Sequence, residues 1–143
     1  MNKKLIMGID KPSIRDRKKD IALFILRIVF GGLMIIEHGI PKAMNLFGTS
    51  EIKFYDFIGL GPKMSLVLAV FAELICASFV VIGLMTRLAS IPIIFTMLVA
   101  NFVVHFGDPL GELELGLLYL GAFVSIFYLG GGKYSIDEKI VGL

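Results

Sequence analysis

Four apolar runs, over residues 21–40, 64–85, 88–106 and 115–131, take up most of this 143-residue chain. Each approaches the ~20 residues that a helix rising ~1.5 Å per residue needs to cross a ~30 Å hydrocarbon core. Such a core has no water to satisfy backbone groups, and the alternating pattern of a transmembrane β-strand is absent, so the runs predict helices. The expected fold is an all-α, polytopic four-helix membrane bundle, a single domain over residues 1–143. Hydrophobic residues make up 57% of the chain and charged residues 18%. With a mean hydropathy of +0.87, these values exclude an ordinary soluble domain.

A basic stretch precedes the first run, as in a signal peptide. That run, however, carries Arg27 and Glu37, and the following Pro41-Lys42-Ala43-Met44-Asn45 lacks a small-x-small cleavage site, so it is expected to stay uncleaved. Seven cations, Lys3, Lys4, Lys11, Arg15, Arg17, Lys18 and Lys19, lie ahead of it. By the positive-inside rule the N-terminus is cytoplasmic, and four spans return the C-terminus to the same side with Arg87, Lys133 and Lys139. The net charge of +2 gathers in that N-terminal stretch, where anionic lipid explains it without nucleic acid. Residues 11–20 suggest a short interfacial helix opening after Pro12, with Ser13 near its cap. A lone Cys76 excludes an intrachain disulfide and a cysteine-based metal site.

The polar residues inside the runs carry the functional signal, because an unpartnered ionisable group in lipid is costly and such groups usually face the bundle interior. Glu37 and His38 fall near the outer end of the first run, with Lys42 four residues after His38. Asn101 and His105 are also four apart, on one helical face. Glu112 and Glu114 open the fourth run, with Tyr119 two turns deeper, and Glu73 is the deepest carboxylate. His38, Lys42, Glu73, Asn101, His105, Glu112 and Tyr119 are therefore the candidate pocket, with the two histidines facing each other across a periplasmic mouth. The aromatic loop over residues 45–62 is expected to cover that mouth or lie in the headgroups. No His-x₃-His or equivalent pair sits on one helix, so no metal site is expected. Two structural ion pairs are expected, Arg27 with Glu73 and Arg87 with Asp137 or Glu138. The alternative for the first is that Arg27 snorkels to headgroups while Glu73 is protonated or hydrogen-bonded elsewhere.

Arg27 with Phe30-Gly31, then His38-Gly39 and Lys42, then Glu73 with Gly83-Leu84 and Thr86-Arg87-Leu88-Ala89, occur in this order. Asn101, His105, the stretch from Glu112 to Tyr119, and Gly130-Gly131-Gly132-Lys133-Tyr134-Ser135-Ile136-Asp137 complete the series. The series resembles the DoxX family from about residue 21 to 138. The tail departs from the usual pattern, which carries a proline among its glycines.

The resemblance implies a four-helix integral protein of the bacterial cytoplasmic (inner) membrane, in a group that includes the DoxD-type subunit of thiosulfate:quinone oxidoreductase. It speaks to fold and location more than to chemistry. The expected function is a redox-associated subunit whose periplasm-facing pocket takes a quinone or a small sulfur compound. Nothing in the chain recognisably ligates flavin, haem or an iron–sulfur cluster, so any oxidoreductase activity requires a partner protein, and a membrane quinone is the candidate cofactor. The alternative is a noncatalytic scaffold that binds another envelope protein, its polar residues only locking the helices together.

Overall fold

The computed structural model describes residues 17–141 and is helical throughout its long segments. Lys3, Lys4, Lys11 and Arg15, and most of the helix expected over residues 11–20, lie outside the described residues. Four helices are long and apolar enough to cross a membrane: α1 (Arg17–Phe47), α2 (Pro62–Ile82), α3 (Thr86–Val104) and α4 (Leu110–Leu129). A short α5 (Ile136–Val141) follows. The end where α1 begins and α4 finishes is called proximal below, and the other end distal.

The span limits differ from the sequence reading most in α1, expected to stop at residue 40 and continuing to Phe47. Pro41 has no N–H to donate and ordinarily disturbs the preceding turn. Here the chain before it, Met34–Gly39, is wound in π-helical register, which accommodates the proline inside a continuous helix. At the other boundary, α2 ends at Ile82 because Gly83 adopts φ +75°, a left-handed conformation that L side chains resist. Any Cβ on Gly83 would also run into Arg27 and Ser135.

Met34, Ala77, Val80, Ile93, Phe123 and Ile126 form the solvent-free centre, and all are fully buried. Half of the most apolar window of α2 is buried within the chain, against 22% for those of α1 and α4. Thus α2 is the most enclosed helix, and the remaining apolar surface of α1 and α4 is available to lipid. α1 and α2 approach closely at Gly39, where an added Cβ would lie 2.6 Å from the Glu73 carbonyl oxygen. Only a glycine permits that contact.

A buried polar layer closes the proximal end. Arg27 donates to the Gly131 carbonyl at 2.8 Å and to the Tyr134 carbonyl, and it is fully buried. Asp137, also fully buried, accepts from the Met85 N–H at 2.6 Å, the Thr86 N–H at 2.9 Å and the Thr86 hydroxyl at 2.7 Å. Asp20 accepts from the Lys133 N–H at 2.9 Å. These bonds correct the expected pairing of Arg27 with Glu73 and that of Arg87 with Asp137. Arg27 does not reach Glu73, because the tail after α4 folds beneath the bundle and offers nearer carbonyls. Asp137 caps the start of α3 instead of pairing with Arg87, which donates to the Tyr128 carbonyl at 2.9 Å. The exposed N–H groups of a helix start attract a carboxylate more directly than a surface guanidinium does.

Candidate functional site

Distal to the core, the four helices part around a cavity of about 710 Å³. Its floor and walls include all seven candidate residues, His38, Lys42, Glu73, Asn101, His105, Glu112 and Tyr119. Three of the four helices contribute polar groups from π-helical stretches: His38 from Met34–Gly39, Glu73 from Phe71–Cys76 and Asn101 from Ala100–Val104. A π-turn inserts an extra residue per turn and redirects side chains, and such turns gather at functional sites.

The floor is built around an ion pair. The Lys42 ammonium donates to both oxygens of Glu73, each at 2.6 Å, with Glu73 fully buried. The helical continuation of α1 past Pro41 makes this possible, since side chains lean toward the helix N-terminus and Lys42 therefore reaches down toward Glu73. Lys42 also lies 5.8 Å from the centre of the Phe54 ring, a cation–π distance. The expected role of Lys42 as a distal pocket residue thus becomes that of counter-ion to the deepest carboxylate.

His38 stands against Tyr119, their rings perpendicular with centres 5.4 Å apart, and Phe30 packs on the other side of Tyr119 at 5.9 Å. Nε2 of His38 is buried with no hydrogen-bond partner among the described residues. Asn101 donates to the Met97 carbonyl at 2.7 Å and lies against Gly116 of α4. His105 is at the rim, exposed, with Nδ1 2.9 Å from an Asp108 oxygen. The two histidines therefore do not share a level as expected. Because α1 extends to Phe47, His38 is close in level to Gly39 and Glu73, whereas His105 caps the distal end of α3. Donor atoms of His105, Asp108 and Glu112 fall within 4.8 Å of one another. Single-helix spacing could not register that grouping, because the turn between α3 and α4 creates it.

The loop between α1 and α2 roofs the cavity with Phe54, Tyr55, Phe57 and Ile58, and Phe57 rests on Phe95 of α3 with ring centres 6.1 Å apart. Asp56 clamps the loop by accepting from the Gly59 N–H, the Gly61 N–H and the Ser65 hydroxyl, all at 2.9 Å. The Gly61 N–H, helped by Ser65 and Gly59, holds the Asp56 carboxyl below the usual carboxylate range.

A family model described as DoxX matches residues 22–106, more than half of the chain. The chain belongs to the DoxX family. No curated protein and no solved structure matches it. Membership in DoxX together with the four apolar helices makes this a multi-pass membrane protein. The DoxX match takes in His38, Lys42, Glu73, Asn101 and His105, while Glu112 and Tyr119 lie beyond it on α4.

Other parts of this DoxX chain escaped sequence reasoning. Asp20, which is buried and accepts from the Lys133 N–H, and Phe95, which supports the roof loop through Phe57, are not among the residues singled out from sequence. The signal for Asp20 was present, as a lone acid among cations at the start of an apolar run. No local signal identified Phe95, whose role depends on the loop that folds over it.

Proposed function

We propose that this DoxX protein is a redox-associated membrane subunit whose distal cavity holds the headgroup of a lipid-soluble quinone. The observation that carries the reading is the pairing of an apolar, aromatic-walled space of about 710 Å³ with a polar floor that has no net charge. Cavities of this size, mostly apolar with a few convergent polar groups, are typical of small-molecule sites. Lys42 is neutralised by Glu73, and the second lining cation, Lys53, is offset by Glu112, with Asp108 near the rim. That balance disfavours a sulfur oxyanion and suits a neutral molecule with hydrogen-bonding carbonyls. In this reading the His38 imidazole meets a quinone carbonyl, Tyr119 lies beside the ring, and Glu112 exchanges protons with water. Reduction of a quinone to a quinol takes up two electrons and two protons, and the electrons come from a partner protein.

The test is retention of quinone. Protein purified in mild detergent should carry quinone, and a short-chain ubiquinone or menaquinone analogue should raise its unfolding temperature. His38→Ala should weaken that binding by about ten-fold, the worth of one hydrogen bond of ~1.4 kcal/mol, without lowering the unfolding temperature of the unliganded protein. No retained quinone and no thermal shift would sink the reading. A shift with thiosulfate alone would replace the quinone by a sulfur compound.

The proposed setting is the bacterial inner membrane with both termini cytoplasmic, which turns the cavity toward the periplasm. Arg17, Lys18, Lys19, Arg87, Lys133 and Lys139 support it, all at the proximal end. A phosphatase that works only in the periplasm should be active when inserted near Ser50 and inactive when fused after Leu143. The opposite pattern would invert the topology. A second reading, a scaffold for another membrane protein, is favoured by one observation, the placement of Glu37.

A further inference from the structure

Glu37 is a carboxylate in the middle of a transmembrane helix that faces outward. Its depth follows from its neighbour Gly39, whose backbone packs on that of Glu73. Glu73 lies 11 residues from the distal start of α2 at Pro62 and 9 from its end at Ile82. At ~1.5 Å per residue these are ~16 Å and ~14 Å, the centre of a ~30 Å hydrocarbon core. Glu37 is two residues, ~3 Å, nearer the proximal end. A glutamate side chain is too short to bring its charge to either headgroup layer from there.

The stripe around Glu37 is apolar and uncovered, while the Glu37 charge is felt by His38 beside it and by Tyr119 of α4. Leu33, Ile40 and Met44 share its stripe on α1 and are 45%, 43% and 72% exposed. Glu37 is itself exposed and makes no hydrogen bond or ion pair among the described residues. The stripe borders the seam between α1 and α4. α1 meets α4 mainly through residues 17–31 and, further along, through His38 against Tyr119, while the rest of its distal half leans on α2, which leaves Glu37 exposed beside the seam.

A charged carboxylate in lipid costs several kcal/mol, and such residues ordinarily pair with a group of opposite charge. Among the described residues the chain does not supply that group. Arg27 and Lys42, the described cations at membrane depth, are both turned inward, onto the Gly131 and Tyr134 carbonyls and onto Glu73. Among the described residues a second copy brings the same inward-facing cations at membrane depth, and two-fold pairing along this stripe sets Glu37 against Glu37.

We propose that the α1 stripe Leu33, Glu37, Ile40 and Met44 docks a transmembrane helix of a different protein, one that presents an arginine or lysine to Glu37 at mid-membrane. The docking is independent of what the cavity holds. It specifies how a partner is recruited within the bilayer, by burial of one ion pair rather than by a large interface.

The test uses the full chain in phosphatidylcholine vesicles, donor-labelled at its C-terminus. Its binding is measured by energy transfer to acceptor-labelled transmembrane peptides of leucine and alanine. The peptides carry arginine, asparagine or leucine at the midpoint and are checked for helical insertion. The arginine peptide should bind about ten-fold more tightly than the leucine peptide, as expected of a polar contact of ~1.4 kcal/mol in lipid. Glu37→Gln should abolish that advantage and Glu114→Gln should keep it. The unfolding temperature of Glu37→Gln should match that of the parent, since Glu37 makes no hydrogen bond or ion pair among the described residues.

Equal binding of arginine and leucine peptides, or an advantage that survives Glu37→Gln, overturns the proposal. An asparagine peptide as tight as arginine shows hydrogen bonding to a neutral carboxyl and overturns the basic partner. Self-association of the labelled chain that depends on Glu37 assigns the stripe to a second copy. A clear loss of thermal stability in Glu37→Gln makes the residue a brace of the fold. Quinone retention is read separately, so failure here leaves the cavity assignment standing and failure there leaves this one.

Discussion

Replacing Lys42 with methionine should lower the stability of the bundle by about 3–5 kcal/mol, the usual cost of stripping one partner from a buried ion pair. The physical reason is that Glu73 is fully buried and both its oxygens rest on the Lys42 ammonium, so the truncated protein keeps a carboxylate with no counter-charge. Methionine matches the lysine stem in length and preserves its apolar packing, which isolates the charge. Thermal unfolding in detergent should show a large fall for Lys42→Met. The double variant Lys42→Met, Glu73→Leu should regain most of it, because removing both charges removes the orphan. If the two changes simply add, the pair is not what stabilises the floor. A double variant that is stable but no longer binds the quinone analogue would further separate the role of the pair in the site from its role in the fold.

Asp137→Ala should cost a similar amount, about 3–5 kcal/mol. It leaves the Met85 and Thr86 N–H groups and the Thr86 hydroxyl without an acceptor, in a layer where each lost hydrogen bond to a charged group is worth about 1.5–3 kcal/mol before relaxation. It also removes the negative charge that acts on buried Arg27. The expected signature is local as well as global: faster amide exchange at Met85 and Thr86, and loosening of α5 from the turn after α2, to which it is joined by the Asp137 N–H bonded to the Gly83 carbonyl at 2.9 Å. Asp137→Asn keeps one acceptor and should lose less. An Asp137→Ala protein that unfolds at the parental temperature with unchanged exchange at Thr86 would show that the proximal layer does not hold the tail.

How much of this was legible beforehand depends on the range of the interaction. His38, Glu73, Asn101 and Tyr119 were identifiable because a polar residue in an apolar run is anomalous wherever the helix goes, and the cost of exposing it to lipid drives it toward the interior. The identity of their partners was not legible. The Arg27 to Glu73 pairing assumed that α1 stops near residue 40 and compared depths along straight helices. The π-helical register over Met34–Gly39 and the continuation through Pro41 moved Lys42, rather than Arg27, into reach of Glu73. Arg87 and Asp137 were matched by charge alone, whereas the unsatisfied N–H groups at the start of α3 claimed the carboxylate first. Glu37 is the converse case, placed by sequence at the same outer level as His38. A neighbour on a helix points about 100° away, and the structure puts Glu37 outside the pocket, on the lipid-facing stripe.

Hydropathy and run length by themselves determined that the chain is four membrane-crossing helices, because that conclusion depends only on backbone hydrogen bonds having no other partner in hydrocarbon. The ordered motifs likewise determined family membership. Tertiary structure alone decided that seven separated residues share one cavity, that its floor is a neutral Lys42–Glu73 pair and its roof an aromatic loop, and that one carboxylate is left facing lipid. Those outcomes turn on helix register, tilt and the reach of individual side chains. A shift of one residue in α1 rotates each of them by roughly 100°, a change to which hydropathy is blind.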